Sequence, residues 1–208
     1  DLQAVCAGFV FALTTAQQYI ENGVYKNVLV VGSETFSRII DWSDRSTAIL
    51  FGDGAGAVVL SSDNTAGISY SKILSDGSYL SSLHVSNNYI NEIGYVEMSG
   101  NEVYKIAVKQ LSNLAEEILR ECNLTASEIS WMVPHQANIR IITAIAKRIN
   151  LPMSKVILTL ETHGNTSAAS IPLALDVAVR DGRIKKGDKL LLEGIGGGFS
   201  WGGLLVEY

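Results

Sequence analysis

Four strand-length runs of apolar residues punctuate this chain: Val28–Gly32 (VLVVG), Ala57–Leu60 (AVVL), Trp131–Val133 (WMV) and Leu190–Leu192 (LLL). An unbroken apolar run, rather than apolar and polar residues in alternation, predicts a strand covered on both faces. Segments of helical period lie between these runs and supply the cover. Phe9, Val10, Leu13, Ala16, Gln17 and Ile20 recur at helical spacing over residues 7–21, and Asn22-Gly23 stops that helix. Residues 101–121 place Val103, Ala107, Leu111, Leu114, Ala115 and Ile118 on one face; residues 137–149 do the same with Ile141, Ile142, Ile145 and Ile149. A further helix follows the small residues Thr166–Ala169 and ends near Gly182. Asp1–Val5, Val156–Leu160 and Leu204–Val206 read as additional strands, Ser46–Leu50 as a helical turn and Gly194–Gly203 as a glycine-rich turn. Residues 81–99 show no period and read as a long functional loop or flap. Strands alternating with helices predict an α/β layered fold, with ligands at the C-terminal ends of strands. No linker or low-complexity tract interrupts the pattern, which favours one body over two tethered ones.

Composition narrows the function classes. Hydrophobic residues make up 47% and charged residues 18%, enough for a core and too apolar for a disordered chain. The 16 Lys and Arg against 21 Asp and Glu leave a formal charge of −5, which argues against nucleic acid or an anionic membrane as partner. An acidic partner then needs a local basic patch. Two cysteines, Cys6 and Cys122, are too few for a disulfide framework or a zinc site and fit a reducing cytosol. No apolar run reaches the ~18 residues of a membrane span, and the start is not signal-like. The chain opens at Asp1, one strand-length before an apolar helix, so a longer natural polypeptide is expected.

A few residues could carry chemistry. Cys6 sits where a strand hands over to a helix, and the positive end of the helix dipole there favours thiolate; a small buried hydrophobe is the competing reading. Cys122, at the tail of a helix, reads as structural. His135 follows Pro134 at a strand end, with Asn138 three residues on, and is open between structure and catalysis. Asn165, in His163-Gly-Asn-Thr, either caps the next helix or serves chemistry. His84 reads as a surface residue. Gly52-Asp-Gly-Ala-Gly56 and Gly194-Ile-Gly-Gly-Gly198 do not fit a dinucleotide site, because no helix follows either and the spacing is wrong. Adjacent glycines between strands instead let a backbone N–H approach a ligand, as an oxyanion donor must. Arg140, Lys147 and Arg148 fall mostly opposite the isoleucines of their helix, ordinarily just a solvated face, but one that begins beside His135 in an acidic chain.

Taken together, DLQAVCAGFVFAL, FGDGAGAVVL, GNEVYKIAV, WMVPHQANIRII, THGNTSAASIPLALDVAVRDGRI and GIGGGFSWGGLLVEY closely resemble β-ketoacyl-[acyl-carrier-protein] synthase III. That family initiates type II fatty acid synthesis in bacteria and plastids. The resemblance covers the whole chain, with most specificity in VPHQAN, GNTSAAS and GGGFSWG. It implies a thiolase-like αβαβα sandwich of two similar halves, assembled as a homodimer. Residues 1–65 would be the remainder of the first half, truncated before the catalytic cysteine, and residues 66–208 a complete second half. About 100 residues would precede the cysteine in a relative, a domain's worth of chain. This polypeptide alone is then not expected to be a stable, active enzyme.

The implied reaction is a decarboxylative Claisen condensation of an acyl-CoA primer, acetyl-CoA being expected, with malonyl-acyl-carrier protein. It yields a β-ketoacyl-carrier protein, CoA and CO2. The resemblance makes Cys6 the nucleophile, His135 and Asn165 the donors to the enolate, and the N–H groups of Cys6 and Gly197 the oxyanion hole. It assigns Arg45 and Asn138 to CoA. Gln136, Ala137, Asn138, Ile139 and Arg140 match the carrier-protein segment, with Lys105, Lys147 and Arg148 meeting the acidic carrier beside it. No metal and no cofactor is expected, since acyl-CoA and malonyl-carrier protein are substrates. A bacterial cytoplasm is favoured over plastid stroma. Ile195 stands where many relatives carry an aromatic, which leaves the primer's length and branching unread. Three rivals remain. A papain-like peptidase also uses Cys, His and Asn but lacks its signature here. The others are a thiolase-superfamily acyltransferase with another acceptor, and a truncated chain without catalytic activity of its own.

Overall fold

The computed structural model describes residues 1–64, 67–86 and 94–208. Its helices are α1 (Gly8–Glu21), α2 (Arg45–Ala48), α3 (Gly100–Glu121), α4 (Ile139–Arg148), α5 (Leu160–His163) and α6 (Ser170–Arg180). Its strands are β1 (Asn27–Glu34), β2 (Gly54–Ser61), β3 (Gly67–Ser75), β4 (Leu83–Val85), β5 (Val96–Met98), β6 (Trp131–Pro134), β7 (Lys189–Gly196) and β8 (Ser200–Glu207). β1 and β2 pair antiparallel, from Asn27 opposite Ser61 to Glu34 opposite Gly54. The larger sheet has the order β3-β8-β7-β6, with β6 and β7 parallel and the other pairs antiparallel.

These elements stack as four layers. The β1–β2 ribbon lies on α1 and α6, and those two helices lie on one face of the four-stranded sheet. Phe9, Val10 and Leu13 meet Ile171, Ala174 and Ala178 there, over Leu190, Leu192 and Leu204. On the other face Leu111, Leu114, Ala115 and Ile118 of α3 and Ile141, Ile142 and Ile145 of α4 pack on Met132 and Leu191. Consecutive leucines of β7 therefore point into two different cores, because strand side chains alternate between faces. The layers also interlock the two ends of the chain, for α1 packs on β3, β7 and β8 while α6 packs on β2.

Several expectations need correction. The run Val28–Gly32 is covered on one face only: Val30 is 4% exposed, whereas Leu29 is 65%, Val31 53% and Val59, paired to Leu29, 64% exposed. Of the five layers expected, four are built from described residues. Asp1–Val5 forms no strand; Val5–Ala7 is a single 3-10 turn that leads into α1. Val156–Leu160 makes one bridge, Met132 to Val156, and Leu160 already opens α5. The glycine-rich turn shrinks to residues 197–199, because β7 continues to Gly196 and β8 starts at Ser200. Part of the expected loop at 81–99 is ordered as β4 paired to β5. Residues 87–93 of that loop, and the proposed boundary at 65/66, lie outside the described residues.

Candidate active site

Cys6 lies in the 3-10 turn that precedes α1, next to Val5 with a positive φ of 49°. A Cβ on Gly196 would stand 2.6 Å from Cys6 N and 2.8 Å from Ala4 O, so only glycine lets β7 pass directly beneath this turn. Cys6 is 4% exposed. Burial pushes its thiol up to about 12; the Ser167 side chain works against that shift and the nearby Glu34 carboxylate adds to it. Against the thiolate expected from the helix start, loss of hydration favours the neutral thiol in the resting protein.

His135 follows β6 immediately, and its backbone N–H donates to Glu193 O at 2.8 Å. Its Nδ1 lies 2.6 Å from Ser170 Oγ. Burial drives the imidazole down to about 4, so the ring is neutral. Asn165 is pinned through its backbone: its N–H donates to Leu50 O, and Gly52 N–H donates to its carbonyl, both at 2.9 Å. Its Oδ1 accepts the Ser167 N–H at 2.9 Å, which leaves the Nδ2 protons as the donors it can offer a ligand. The competing cap reading does not hold, because Ala169 precedes α6 with no side-chain cap and the Asn165 bond only closes a local turn upstream.

Residues 165–170 consequently touch all three side chains. Ser167, itself at φ 49°, lies against the Cys6 thiol, although its Oγ makes no hydrogen bond of ordinary geometry. The Ser167 N–H holds Asn165, and Ser170 holds His135. Glu34 of β1 ties down the same stretch by accepting the Ala168 N–H at 3.2 Å. A Cβ on Gly194 would lie 3.3 Å from Cys6 O and 3.5 Å from the His135 Cβ, which brackets two of the three from the β7 side. Gly197 is the first residue of the turn after β7, one position beyond the glycine that underlies Cys6.

The remaining predicted residues are more scattered. Arg45 is exposed at the start of α2, behind the Asp44 cap. Asn138 caps α4, its Oδ1 accepting the Arg140 N–H at 2.8 Å. Gln136 is corrected outright as a carrier contact. It is fully buried, its Nε2 donates to Pro134 O and Ile157 O, and its Oε1 accepts from Thr159 N–H. Ala137 is half-buried, whereas Ile139 and Arg140 are exposed. Arg140 stacks over Tyr104, 5.3 Å from the ring centroid, at a shallow cleft that also includes Thr143 and Lys147. Arg148 is engaged by Glu116 at 3.0 Å and Asn113 at 2.7 Å, while Lys105 is exposed on α3. His84 is half-buried, 3.7 Å from Glu97. A cavity of about 710 Å³ is lined by Leu13, Val58, Leu175 and Leu190, among others, and includes no predicted site residue. Among the described residues no cluster of three or more His, Cys, Asp or Glu could hold a metal, and no helix is long and apolar enough to cross a membrane. Sequence reasoning missed Ser167, Ser170 and the buried Glu193; the small-residue run SAAS after Asn165 was the available signal for the serines.

Residues 1–77 match the family model of 3-oxoacyl-[acyl-carrier-protein (ACP)] synthase III, and residues 119–208 match the model of that enzyme's C-terminal part. Over all 208 residues the chain is 71% identical to a β-ketoacyl-[acyl-carrier-protein] synthase III of Vesicomyosocius okutanii. The chain belongs to the synthase III family. It spans 66% of the length of that relative. The whole chain also superimposes on 66% of the synthase III of Aquifex aeolicus, with a TM-score of 0.95 at 43% identity. A priming β-ketosynthase of the R1128 polyketide pathway matches 99% of the chain and 64% of its own, with a TM-score of 0.94 at 40% identity. The synthase III likeness makes the fold thiolase-like, and the β-α-β-α layering described above is its local expression.

Proposed function

We propose that the chain carries the catalytic residues for the decarboxylative Claisen condensation that starts type II fatty acid synthesis, which joins an acyl-CoA primer, acetyl-CoA first among them, to malonyl-acyl-carrier protein. The observation that carries this reading is the single stretch, residues 165–170, in contact with Cys6, Asn165 and His135 at once. Cys6 sulfur attacks the primer's thioester carbonyl, the bond to the CoA sulfur breaks, and the thiol proton ends on the departing CoA. Backbone N–H groups of Cys6 and Gly197 hold the transient oxyanion. Malonyl-carrier protein then enters; its C–C bond to the carboxylate breaks, CO2 leaves, and the electron pair passes into an enolate. The neutral His135 ring and the Asn165 amide donate hydrogen bonds to that enolate oxygen. Neutral donors suffice because decarboxylation, not proton abstraction, creates the carbanion. The enolate carbon attacks acyl-Cys6, and the sulfur leaves as thiolate and regains a proton.

In this reading Arg45 and Asn138 meet CoA, the arginine through its flat guanidinium. Arg140, Lys147 and Lys105, flanked by Ala137 and Ile139, meet the acidic carrier. Arg148 takes a smaller part because Glu116 already neutralises it. A bacterial cytoplasm accompanies the assignment, supported by the bacterial relatives, and a homodimer is proposed from the family resemblance alone. The test is acylation by radiolabelled acetyl-CoA with the label mapped by peptide mass, followed by addition of malonyl-carrier protein. Label on Cys6, lost in Cys6→Ala and retained in His135→Ala and Asn165→Ala while condensation fails, is expected. An unlabelled Cys6, or equal loss of both half-reactions in all three variants, refutes it. The likeness to a priming polyketide ketosynthase supports a second reading, the same chemistry serving another carrier, and competition between carriers separates the two.

A further inference from the structure

We propose that Ser170 is a positioning residue that fixes the tautomer of His135, placing the ring proton on Nε2. A neutral imidazole has one N–H and one lone pair, and the partner of one nitrogen decides what the other can do. Ser170 Oγ lies 2.6 Å from His135 Nδ1 and also accepts the backbone N–H of Gln136 at 3.1 Å. A hydroxyl has a single proton to give. Among the described residues, the only acceptor bonded to this Oγ is Nδ1. Were Nδ1 protonated instead, it and the Gln136 N–H would take both Oγ lone pairs, and the serine proton would be left without an acceptor among the described residues. Ser170 is 1% exposed and His135 4%, so water cannot relieve that loss. The hydroxyl therefore donates to Nδ1, and the proton sits on Nε2.

The surroundings leave the pair little room to rearrange. The Gln136 side chain is clamped to Pro134 O, Ile157 O and Thr159 N–H, which holds its backbone N–H against Ser170. Ser170 is the first residue of α6, and the helix is seated on β2, where a Cβ on Gly56 would stand 2.9 Å from Pro172. Burial of the imidazole keeps it neutral, without which the tautomer would have no meaning. That Nε2–H serves as an enolate donor rests on the reaction proposed above; the tautomer does not.

The test is two-bond 1H–15N correlation of the imidazoles in the 15N-labelled protein, with His84→Gln and His163→Gln assigning the three histidines. The wild-type His135 is expected as Nε2–H, favoured about tenfold or more. Ser170→Ala should mix the tautomers, and Ser170→Thr, which keeps the hydroxyl, should restore Nε2–H. In parallel, kcat for malonyl-carrier decarboxylation should fall about 10²-fold in Ser170→Ala with KM little changed, as when a transition-state donor is lost. A wild-type ring protonated at Nδ1, or an alanine variant with an unaltered tautomer, overturns the proposal. If the alanine variant fails to fold, the wild-type and threonine spectra decide. Nε2–H in a protein without decarboxylase activity upholds the tautomer and removes the reaction.

Discussion

Glu193 offers the sharpest quantitative test of the fold. It sits in the middle of the four-stranded sheet, paired to Pro134 of β6 and Gly203 of β8. Strand alternation sends its side chain to the same face as Leu191 and Ile195, beneath α3. A Cβ on Gly203 beside it would meet Ile118 and Leu114 of that helix. It is fully buried, and neither carboxyl oxygen has a hydrogen-bond partner among the described residues. Burial alone lifts its pKa from 4.5 to about 8. The folded protein holds this proton more tightly than the unfolded chain, so the contribution is favourable below pH 4.5 and is lost as pH rises toward 8. Each pH unit in that window removes ~1.4 kcal/mol, so the loss reaches about 3 kcal/mol at pH 7 and about 4 kcal/mol at pH 8. Glu193→Gln keeps the shape and removes the titration. Urea denaturation of both proteins at pH 5, 6, 7 and 8, with m-values checked for equality, isolates the effect because all other groups cancel. The glutamine variant should gain on the wild type from about 1 kcal/mol at pH 5 to about 3 kcal/mol at pH 7. A gap that stays constant from pH 5 to pH 8 would show that the carboxyl is not ionising inside an apolar site, and the reasoning fails.

Four further outcomes follow from the site. With its thiol held at about 12, Cys6 should be alkylated by iodoacetamide at a rate rising about tenfold per pH unit from pH 7 to 10; a plateau below pH 9 contradicts the burial argument. His135, depressed from 6.5 to about 4, disfavours the charged form on folding, so its contribution is complete above pH 6.5 and is lost as pH falls to 4. That loss is about 3 kcal/mol, read as the difference between wild type and His135→Gln in denaturation at pH 4 to 7. Gly52→Ala places a Cβ 2.8 Å from the His163 carbonyl and should cost about 1–3 kcal/mol, with a lowered condensation rate because Gly52 also holds Asn165; an unchanged Tm refutes it. Gln136→Ala should lower Tm without a selective change in carrier KM, whereas Arg140→Glu should raise the carrier KM and spare acylation of Cys6. The reverse pattern would return Gln136 to the carrier surface.

The helices α1, α3, α4 and α6 were legible because each buries one apolar stripe, and local period alone decides that. β7 was legible because Leu190–Leu192 feeds two cores. What escaped depended on distant partners. β3, with the sequence GISYSKILS, has too many polar positions for an apolar run, and it exists because β8 offers a full antiparallel edge. VILTL at 156–160 looks like a strand, yet only Val156 bridges to β6. Beyond it the Gln136 amide replaces a neighbouring strand, donating to Ile157 O and accepting from Thr159 N–H. A glutamine just before a helix reads as surface in sequence, and nothing local reveals that its amide stands in for backbone. The trio is an expectation from resemblance; the resting state of Cys6 is not legible in sequence, because the helix start argues for thiolate and burial, invisible in sequence, argues the other way.

The two glycine-rich stretches acquire a common explanation from this packing. Gly52, Gly54 and Gly56 let residues 163–173 settle onto β2, while Gly194 and Gly196 let the Cys6 turn settle onto β7. Both stretches remove side chains so that the Cys6 turn and the segment leading into α6 can approach the strands. The cost of this closeness is desolvation, which leaves the Cys6 thiol and the His135 imidazole both neutral. Neither Cys6 nor His135 is charged at rest, although the Glu34 carboxylate lies close to Cys6. In the proposed reaction negative charge would arise when a thioester oxygen becomes an oxyanion or enolate, and side chains already held by the Ser167 N–H and the Ser170 hydroxyl would not need to reorient to meet it. In a low-dielectric site such preset donors favour the charged transition state over the neutral ground state, which is the difference catalysis requires.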